Sequence, residues 1–87
     1  IRVNREHLMH HLSMLDTLEV FPSQANFILF RVKQGNASAV FESLLAEGVL
    51  IKNLDKPGPL QNCLRVTVGT AEENQAFIRA LEKALRN

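Results

Sequence analysis

The stretch from Cys63 to Leu85 changes its hydrophobic period half-way along, and this constrains the fold more than any other feature. Residues 63–68 alternate strictly, so that three aliphatic side chains share one face of a predicted strand. Gly69 ends the strand, and a Thr70–Glu73 capping box opens an amphipathic helix. A strand followed directly by such a helix indicates a sheet covered by helices.

The rest of the chain repeats this mixture of periods. Apolar residues at helical spacing predict two further helices, and runs of strand-forming residues predict the remaining strands. The predicted elements are a helix over 1–16, a brief extended piece over 18–21, a strand over 27–32, a helix between Asn36 and Gly48, a strand over 49–53, an exposed loop over 54–62, a strand over 63–68 and a final helix.

These elements predict one α+β domain over residues 1–87, with a small sheet of about three strands and three helices packed on it. Because Phe27–Val32 is apolar at nearly every position, we expect that strand to be central and covered on both faces. The crossover helix allows it to run parallel to 49–53, and the 54–62 loop allows an antiparallel last strand. The strand order stays open.

Composition excludes several classes of protein. Ten Lys plus Arg face nine Asp plus Glu among 87 residues, and the charges are interspersed, which disfavours a nucleic-acid surface. The longest apolar run, Phe27–Phe30, is far too short to span a bilayer. A single cysteine cannot form an internal disulfide, which favours an intracellular protein. The chain opens in mid-pattern at Ile1, as a piece of a longer protein does.

Arg65 is the residue that the pattern singles out for chemistry. It lies in mid-strand opposite the apolar face, flanked on its own face only by Cys63 and Thr67. The fork of a guanidinium matches a carboxylate or a phosphate with two parallel hydrogen bonds. The competing interpretation is a surface arginine whose stem lies along the sheet.

Other polar residues give weaker signals. Lys52 ends a strand, and nothing beside it predicts the burial that makes a lysine a nucleophile. Asn26 precedes a strand and either satisfies turn backbone or faces a ligand. The histidines at 7, 10 and 11 lack a carboxylate and the spacing of a metal site, and Cys63 lacks a histidine partner. The residues alone therefore predict one candidate anion-binding arginine and no complete catalytic set.

Three blocks of sequence resemble motifs of the histidinol-phosphate aminotransferases. They are FPSQANFILFR at 21–31, GVLIKN at 48–53, and CLRVTVGT at 63–70 with Glu72, Glu73 and Asn74 after it. The blocks occur in the order and spacing of that family and cover nearly the whole chain.

The resemblance implies the small C-terminal domain of a cytoplasmic, dimeric pyridoxal-phosphate enzyme of fold type I. Members exchange an amino group between L-histidinol phosphate plus 2-oxoglutarate and imidazole-acetol phosphate plus glutamate, in histidine biosynthesis. The cofactor lysine and most contacts to pyridoxal 5'-phosphate would belong to the missing N-terminal large domain, since none of the lysines here matches it. The fragment is therefore expected to be inactive alone.

The resemblance also implies roles for three residues. Arg65 matches the arginine that binds the substrate phosphate, or the glutamate carboxylate in the other half-reaction. Lys52 falls where many members have a second arginine, and it keeps the charge without the planar fork. Asn26 lies within the matching motif, with a weaker assignment to the substrate. A face around Arg65 and the helix over 1–16 is expected to meet the large domain.

Two alternatives stay open at this point. One is another fold-type-I enzyme, such as a threonine-phosphate decarboxylase or an aromatic aminotransferase, which also needs an arginine that binds an anion. The other is a non-catalytic α+β domain that binds a small molecule and has its own pocket.

Overall fold

The computed structural model describes residues 2–23 and 25–86, so that Ile1, Gln24 of the first motif and Asn87 lie outside the description. Within these residues the chain forms three helices and four strands. They are α1 (Arg2–Ser13), β1 (Leu18–Val20), β2 (Phe27–Val32), α2 (Ala37–Ala46), β3 (Lys52–Asn53), β4 (Cys63–Thr67) and α3 (Ala71–Arg86). The α+β class is confirmed. The sheet gains a fourth strand because the brief extended piece at 18–20 pairs with β2.

All four strands form one antiparallel sheet in the order β1-β2-β4-β3. β4 lies between β2 and β3 and runs antiparallel to both, so β2 and β3 point the same way without being neighbours. The crossover through α2 therefore spans β4 instead of joining adjacent parallel strands. As a result, side chains of β4 have a neighbouring strand on each side.

The ends of α2 follow the sequence prediction. Asn36 caps the helix, with its Oδ1 accepting a hydrogen bond from the Ala39 amide at 3.0 Å. At the other end Gly48 adopts a φ of +81°, a left-handed conformation that favours glycine. The Val49 amide then donates to the Leu44 carbonyl at 2.9 Å, which closes the helix in a Schellman motif. β3 begins only at residue 52, later than predicted, because the closing turn reaches Val49 and pairing with β4 starts at Lys52, opposite Arg65.

The junction from β4 to α3 is fixed by reciprocal hydrogen bonds. The Thr70 amide donates to Glu73 Oε1 at 2.9 Å and the Glu73 amide donates to Thr70 Oγ1 at 3.1 Å, which confirms the capping box. The buried Asn74 side chain accepts from the Gly69 amide at 2.9 Å and donates to the Gly69 carbonyl at 3.3 Å. The start of α3 therefore holds the end of β4 in a defined direction.

The described helices all pack on one face of the sheet, which we call the inner face. A single cluster joins them to alternate residues of the strands; its largest fully buried members are Phe30, Leu8, Leu12, Ile28, Leu44, Leu64, Leu81 and Val32. The opposite, outer face carries Phe27, Leu29 and Arg31 of β2, which are exposed or partly buried. The prediction that β2 is covered on both faces is therefore wrong for this chain, because its own helices cover only one.

Helix α1 and Arg65 lie on opposite sides of the sheet. Leu8 and Leu12 of α1 are buried in the inner-face core, whereas the strict alternation of β4 puts Arg65 on the outer face. The expectation that both contribute to one face is therefore wrong. No helix among the described residues is long and apolar enough to cross a membrane.

Candidate anion-binding site

The sheet register brings together two of the three residues singled out from the sequence. Lys52 of β3 lies directly opposite Arg65 of β4, and Leu29 of β2 lies opposite Arg65 on the other side. Residues directly opposite in an antiparallel pair have Cβ atoms about 4.5–5.5 Å apart on the same face, and like charges there are destabilising. Two cations in one row are therefore a local cost to the sheet, which a bound anion would relieve.

The Arg65 guanidinium is available to a ligand. Within residues 2–23 and 25–86, no hydrogen bond and no carboxylate within salt-bridge distance engages it. Its only ring contact is with Phe27, whose centroid lies 4.7 Å from the guanidinium carbon. Arg65 is partly buried, while its guanidinium donors remain unused among the described residues.

Arg31, on the same face, shows what a structural arginine looks like in this fold. Its Nη1 lies 3.1 Å from Glu19 Oε1, its Nε donates to the Gln61 carbonyl at 3.0 Å, and its Nη2 donates to the Pro59 carbonyl at 2.6 Å. These contacts tie β1 and the 54–62 loop to β2. Every nitrogen of that guanidinium is engaged, which leaves Arg65 as the arginine of this face that can bind an anion.

A hydrogen-bond network sets the position of Lys52, although β3 has only two residues. Asn53 donates from Nδ2 to Ser38 Oγ at 3.3 Å and accepts from the Asp55 amide at 2.9 Å. Asp55 in turn accepts from Ser38 Oγ at 3.2 Å and from the Asn62 amide at 2.7 Å. Lys52 itself is exposed and, like Arg65, has no hydrogen bond or carboxylate partner among the described residues.

Asn26 is not joined to this pair. Its backbone carbonyl accepts a hydrogen bond from the Val68 amide at 2.7 Å, and its exposed side chain makes no hydrogen bond to Arg65 or Lys52 in the described part of the chain. Phe27, its neighbour, is the residue at the site that sequence reasoning missed. The signal was present, since Phe27, Leu29 and Arg31 share the outer face of β2 once the strand is read as half-covered.

The histidines and the cysteine occupy other surroundings. His11 Nε2 lies 3.3 Å from Glu82 Oε2 and so links α1 to α3. Cys63 is buried, with its Sγ 3.7 Å from the Gln61 carbonyl. In the described ranges, no group of three or more His, Cys, Asp or Glu side chains is placed to hold a metal ion.

The described residues do not fit pyridoxal phosphate. An amine that reacts with the cofactor needs a pocket that desolvates it, whereas the four lysines, at 33, 52, 56 and 83, are all exposed. What the arrangement offers instead is one guanidinium fork and one ammonium group on a half-open sheet face, which is chemistry suited to a phosphate or a carboxylate.

Comparison with known proteins identifies the family. The family model for aminotransferases of class I and II matches residues 1–81. The chain belongs to this family. Class I and II aminotransferases are generally dependent on pyridoxal phosphate.

Curated relatives are named histidinol-phosphate aminotransferases. The enzyme designated 2 from Nitrosococcus oceani is 50% identical over 84 residues, which is 95% of this chain and 23% of the relative. The enzyme from Aquifex aeolicus is 42% identical over 83 residues, with the same two coverages. The chain thus spans about a quarter of the length of the curated relatives that it matches.

Solved structures match the whole fold of this aminotransferase chain. A histidinol-phosphate aminotransferase from Clostridium acetobutylicum has a TM-score of 0.89 at 26% identity, covering 100% of this chain and 27% of the other. An L-threonine-O-3-phosphate decarboxylase from Porphyromonas gingivalis has a TM-score of 0.90 at 33% identity, covering 99% and 27%. The identities to the curated aminotransferases are higher, and they do not favour the decarboxylase, the aromatic aminotransferase or the non-catalytic domain.

Proposed function

We propose that the parent protein is a pyridoxal-phosphate-dependent histidinol-phosphate aminotransferase, and that this chain is its C-terminal small domain. The reaction is L-histidinol phosphate plus 2-oxoglutarate giving imidazole-acetol phosphate plus glutamate, a step of histidine biosynthesis. The relatives that carry this name support the substrate, and their greater length supports a large domain elsewhere in the parent that binds the cofactor. The family resemblance further supports a cytoplasmic homodimer.

The observation that carries the role of this chain is the unengaged guanidinium of Arg65 directly opposite Lys52. A phosphate monoester has oxygens spaced to accept two parallel hydrogen bonds from the fork, while the ammonium adds a point charge. The carboxylate of glutamate fits the same fork in the other half-reaction. One site therefore serves both substrates.

The residues of this chain act by binding and orienting, since the described part contains no lysine suited to proton transfer on the cofactor. When bound to the large domain, pyridoxal phosphate supplies the electron sink of the transamination. Arg65 holds the substrate by the phosphate, remote from the reacting amine. Binding energy at a remote group lowers the barrier when it fixes the reacting atoms in the productive geometry. Asn26, whose exposed side-chain amide has no hydrogen-bond partner within residues 2–23 and 25–86, is a weaker candidate for a further contact.

The test is Arg65→Ala in the full-length enzyme. Loss of a charge-assisted, bidentate pair is expected to lower kcat/KM for L-histidinol phosphate and for glutamate by about a hundredfold, or about 2.7 kcal/mol. Arg79→Ala is a matched control, because Arg79 is an exposed arginine on α3, on the helical side of the sheet. Unchanged kinetics in Arg65→Ala would remove this residue from the site.

Substrate profiling distinguishes the proposed aminotransferase from a threonine-phosphate decarboxylase of the same fold. With glutamate as the amino donor, the intact enzyme is expected to convert imidazole-acetol phosphate to L-histidinol phosphate. It is expected to release no carbon dioxide from L-threonine O-3-phosphate. The opposite profile would assign the parent to the decarboxylases while leaving the anion site in place, because both substrates carry a phosphate.

A further inference from the structure

Phe27 is a large aromatic residue on the open side of the sheet. It is 43% exposed, whereas Phe30 on the same strand is 0% exposed and Phe77 of α3 is 3% exposed. An isolated exposed aromatic residue needs no explanation. This ring, however, lies with its centroid 4.7 Å from the guanidinium carbon of Arg65 and is the only ring that contacts this cation within the described residues.

The contact restricts Arg65 without using its donors. The N–H groups of a guanidinium lie in its plane, and a contact between the guanidinium carbon and an aromatic face uses none of them as a hydrogen-bond donor to oxygen. A long arginine side chain otherwise loses considerable rotamer entropy when it binds a ligand in one geometry. A guanidinium that is already held against a ring has less freedom to lose, so its fork is pre-organised.

The backbone around Phe27 is held from two directions. Phe27 pairs with Thr67 in the β2–β4 ladder, two residues from Arg65, and the carbonyl of the preceding residue accepts from Val68. Ser23 Oγ also donates a hydrogen bond to the Phe27 carbonyl. The ring therefore has a fixed origin relative to β4 even though its side chain is exposed.

Together these contacts define a second residue at the anion site. We infer that Phe27 is a positioning residue that orients the Arg65 guanidinium for the phosphate or carboxylate of the substrate. This inference rests on the proposed function, because it requires Arg65 to bind the substrate. Phe27 acts through Arg65 and touches none of the reacting atoms.

The same face contains a natural control. The Arg31 guanidinium carbon lies over the Phe21 ring, 5.2 Å from its centroid, so a second arginine contacts a second phenylalanine. Arg31 is also bound to a carboxylate and two carbonyls, and its orientation does not depend on the ring alone. Removing the Phe21 ring should therefore leave the kinetics of the anion site unchanged.

The experiment is a double-mutant cycle in the full-length enzyme, measuring kcat/KM for L-histidinol phosphate. Phe27→Leu keeps an apolar side chain but removes the ring quadrupole, and it is expected to lower kcat/KM by about 3–30-fold. In the Arg65→Ala background the same change is expected to have no further effect beyond about twofold. Phe27→Tyr keeps the ring face and should stay within about twofold of the parent, as should Phe21→Leu.

The outcomes distinguish the positioning role of Phe27 from anion binding by Arg65. Coupling between Phe27 and Arg65, with rescue by Phe27→Tyr, supports the inference. Equal losses from Phe27→Leu with and without Arg65, or equal losses from Phe21→Leu, would overturn it and leave the anion site intact. A full-strength enzyme after Arg65→Ala would instead overturn the proposed function. Because Phe27 is exposed, the thermal unfolding of Phe27→Leu is expected to match that of the parent. If Phe27→Leu unfolds early, Phe27→Tyr becomes the deciding comparison. Loss of activity in Phe27→Tyr, which keeps the ring, overturns the inference, and retained activity supports it.

Discussion

At the scale of single residues, the contrast between Arg31 and Arg65 supports the proposed anion site on the outer face of the sheet. Both guanidinium groups lie over a phenylalanine ring, but among the described residues only Arg31 also has a carboxylate and carbonyls around it. The proposal rests on unused hydrogen-bonding capacity, since a partly buried arginine with free donors gains more from an anion than one whose donors are occupied.

Lys52 gives a prediction at this scale. Its ammonium group is exposed and contributes a point charge opposite Arg65, so Lys52→Gln is expected to lower kcat/KM for L-histidinol phosphate by up to about fivefold, the range of an exposed ion pair. Lys52→Arg restores a planar fork and should equal or exceed the parent. The measurement is steady-state kinetics at low and high salt. A loss of kcat/KM in Lys52→Gln as large as that in Arg65→Ala would contradict the smaller contribution expected of Lys52.

At the scale of elements, β3 is too short to stabilise itself, and polar side chains do that instead. Asp55 connects the network by accepting hydrogen bonds from Ser38 and from the backbone of Asn62. Asn62 also has a φ of +59°, a conformation that asparagine tolerates better than most residues. The 54–62 loop therefore has a fixed path despite its prolines and its exposure.

Asp55→Ala is expected to loosen that loop without unfolding the domain. Hydrogen bonds to a charged group contribute about 1.5–3 kcal/mol, so local opening should become at least about tenfold more frequent. Hydrogen exchange followed by mass spectrometry would report this in peptides that cover 54–62. Asp16→Ala, at an exposed aspartate between α1 and β1, is the control, and equal exchange in both variants would show that the network does not hold the loop.

The elements also show how far sequence reasoning reaches. Caps are local, so Asn36, Gly48 and the Thr70–Glu73 box predict helix ends that the structure confirms. Strand order is not local, and neither the insertion of β4 between β2 and β3 nor the Lys52–Arg65 row follows from any single segment. The predicted covering of both faces of β2 is wrong for the same reason. A run of apolar residues does not say whether the second face of a strand is covered by its own chain.

At the scale of the whole molecule, the sheet separates the hydrophobic core from the proposed anion site. The inner face belongs to one core that joins α1, α2 and α3 to the strands, and the outer face carries the free guanidinium, the ammonium group and Phe27. A half-covered sheet is a common antiparallel arrangement, in which one face packs on the core and the other stays open. In a domain of this size the core leaves little margin, so residues that bind a ligand are best kept out of it.

Two phenylalanines on one strand test this division directly. Phe30 is fully buried and its ring centroid lies 6.2 Å from that of Phe77, so Phe30→Ala should lower the free energy of unfolding by about 3–5 kcal/mol. Phe27→Ala, three positions earlier on the outer face, should cost less than about 1 kcal/mol, because its ring is already 43% exposed. Denaturant unfolding of the full-length protein measures the free energy of unfolding of each variant, and substrate kinetics measures its kcat/KM. The expected pattern is a crossed one, in which Phe30→Ala loses stability and keeps kcat/KM in the folded fraction, while Phe27→Ala keeps stability and loses kcat/KM. Equal losses of stability would mean that the rest of the parent covers the outer face as tightly as the helices cover the inner one. The outer face would then be open only in the isolated chain.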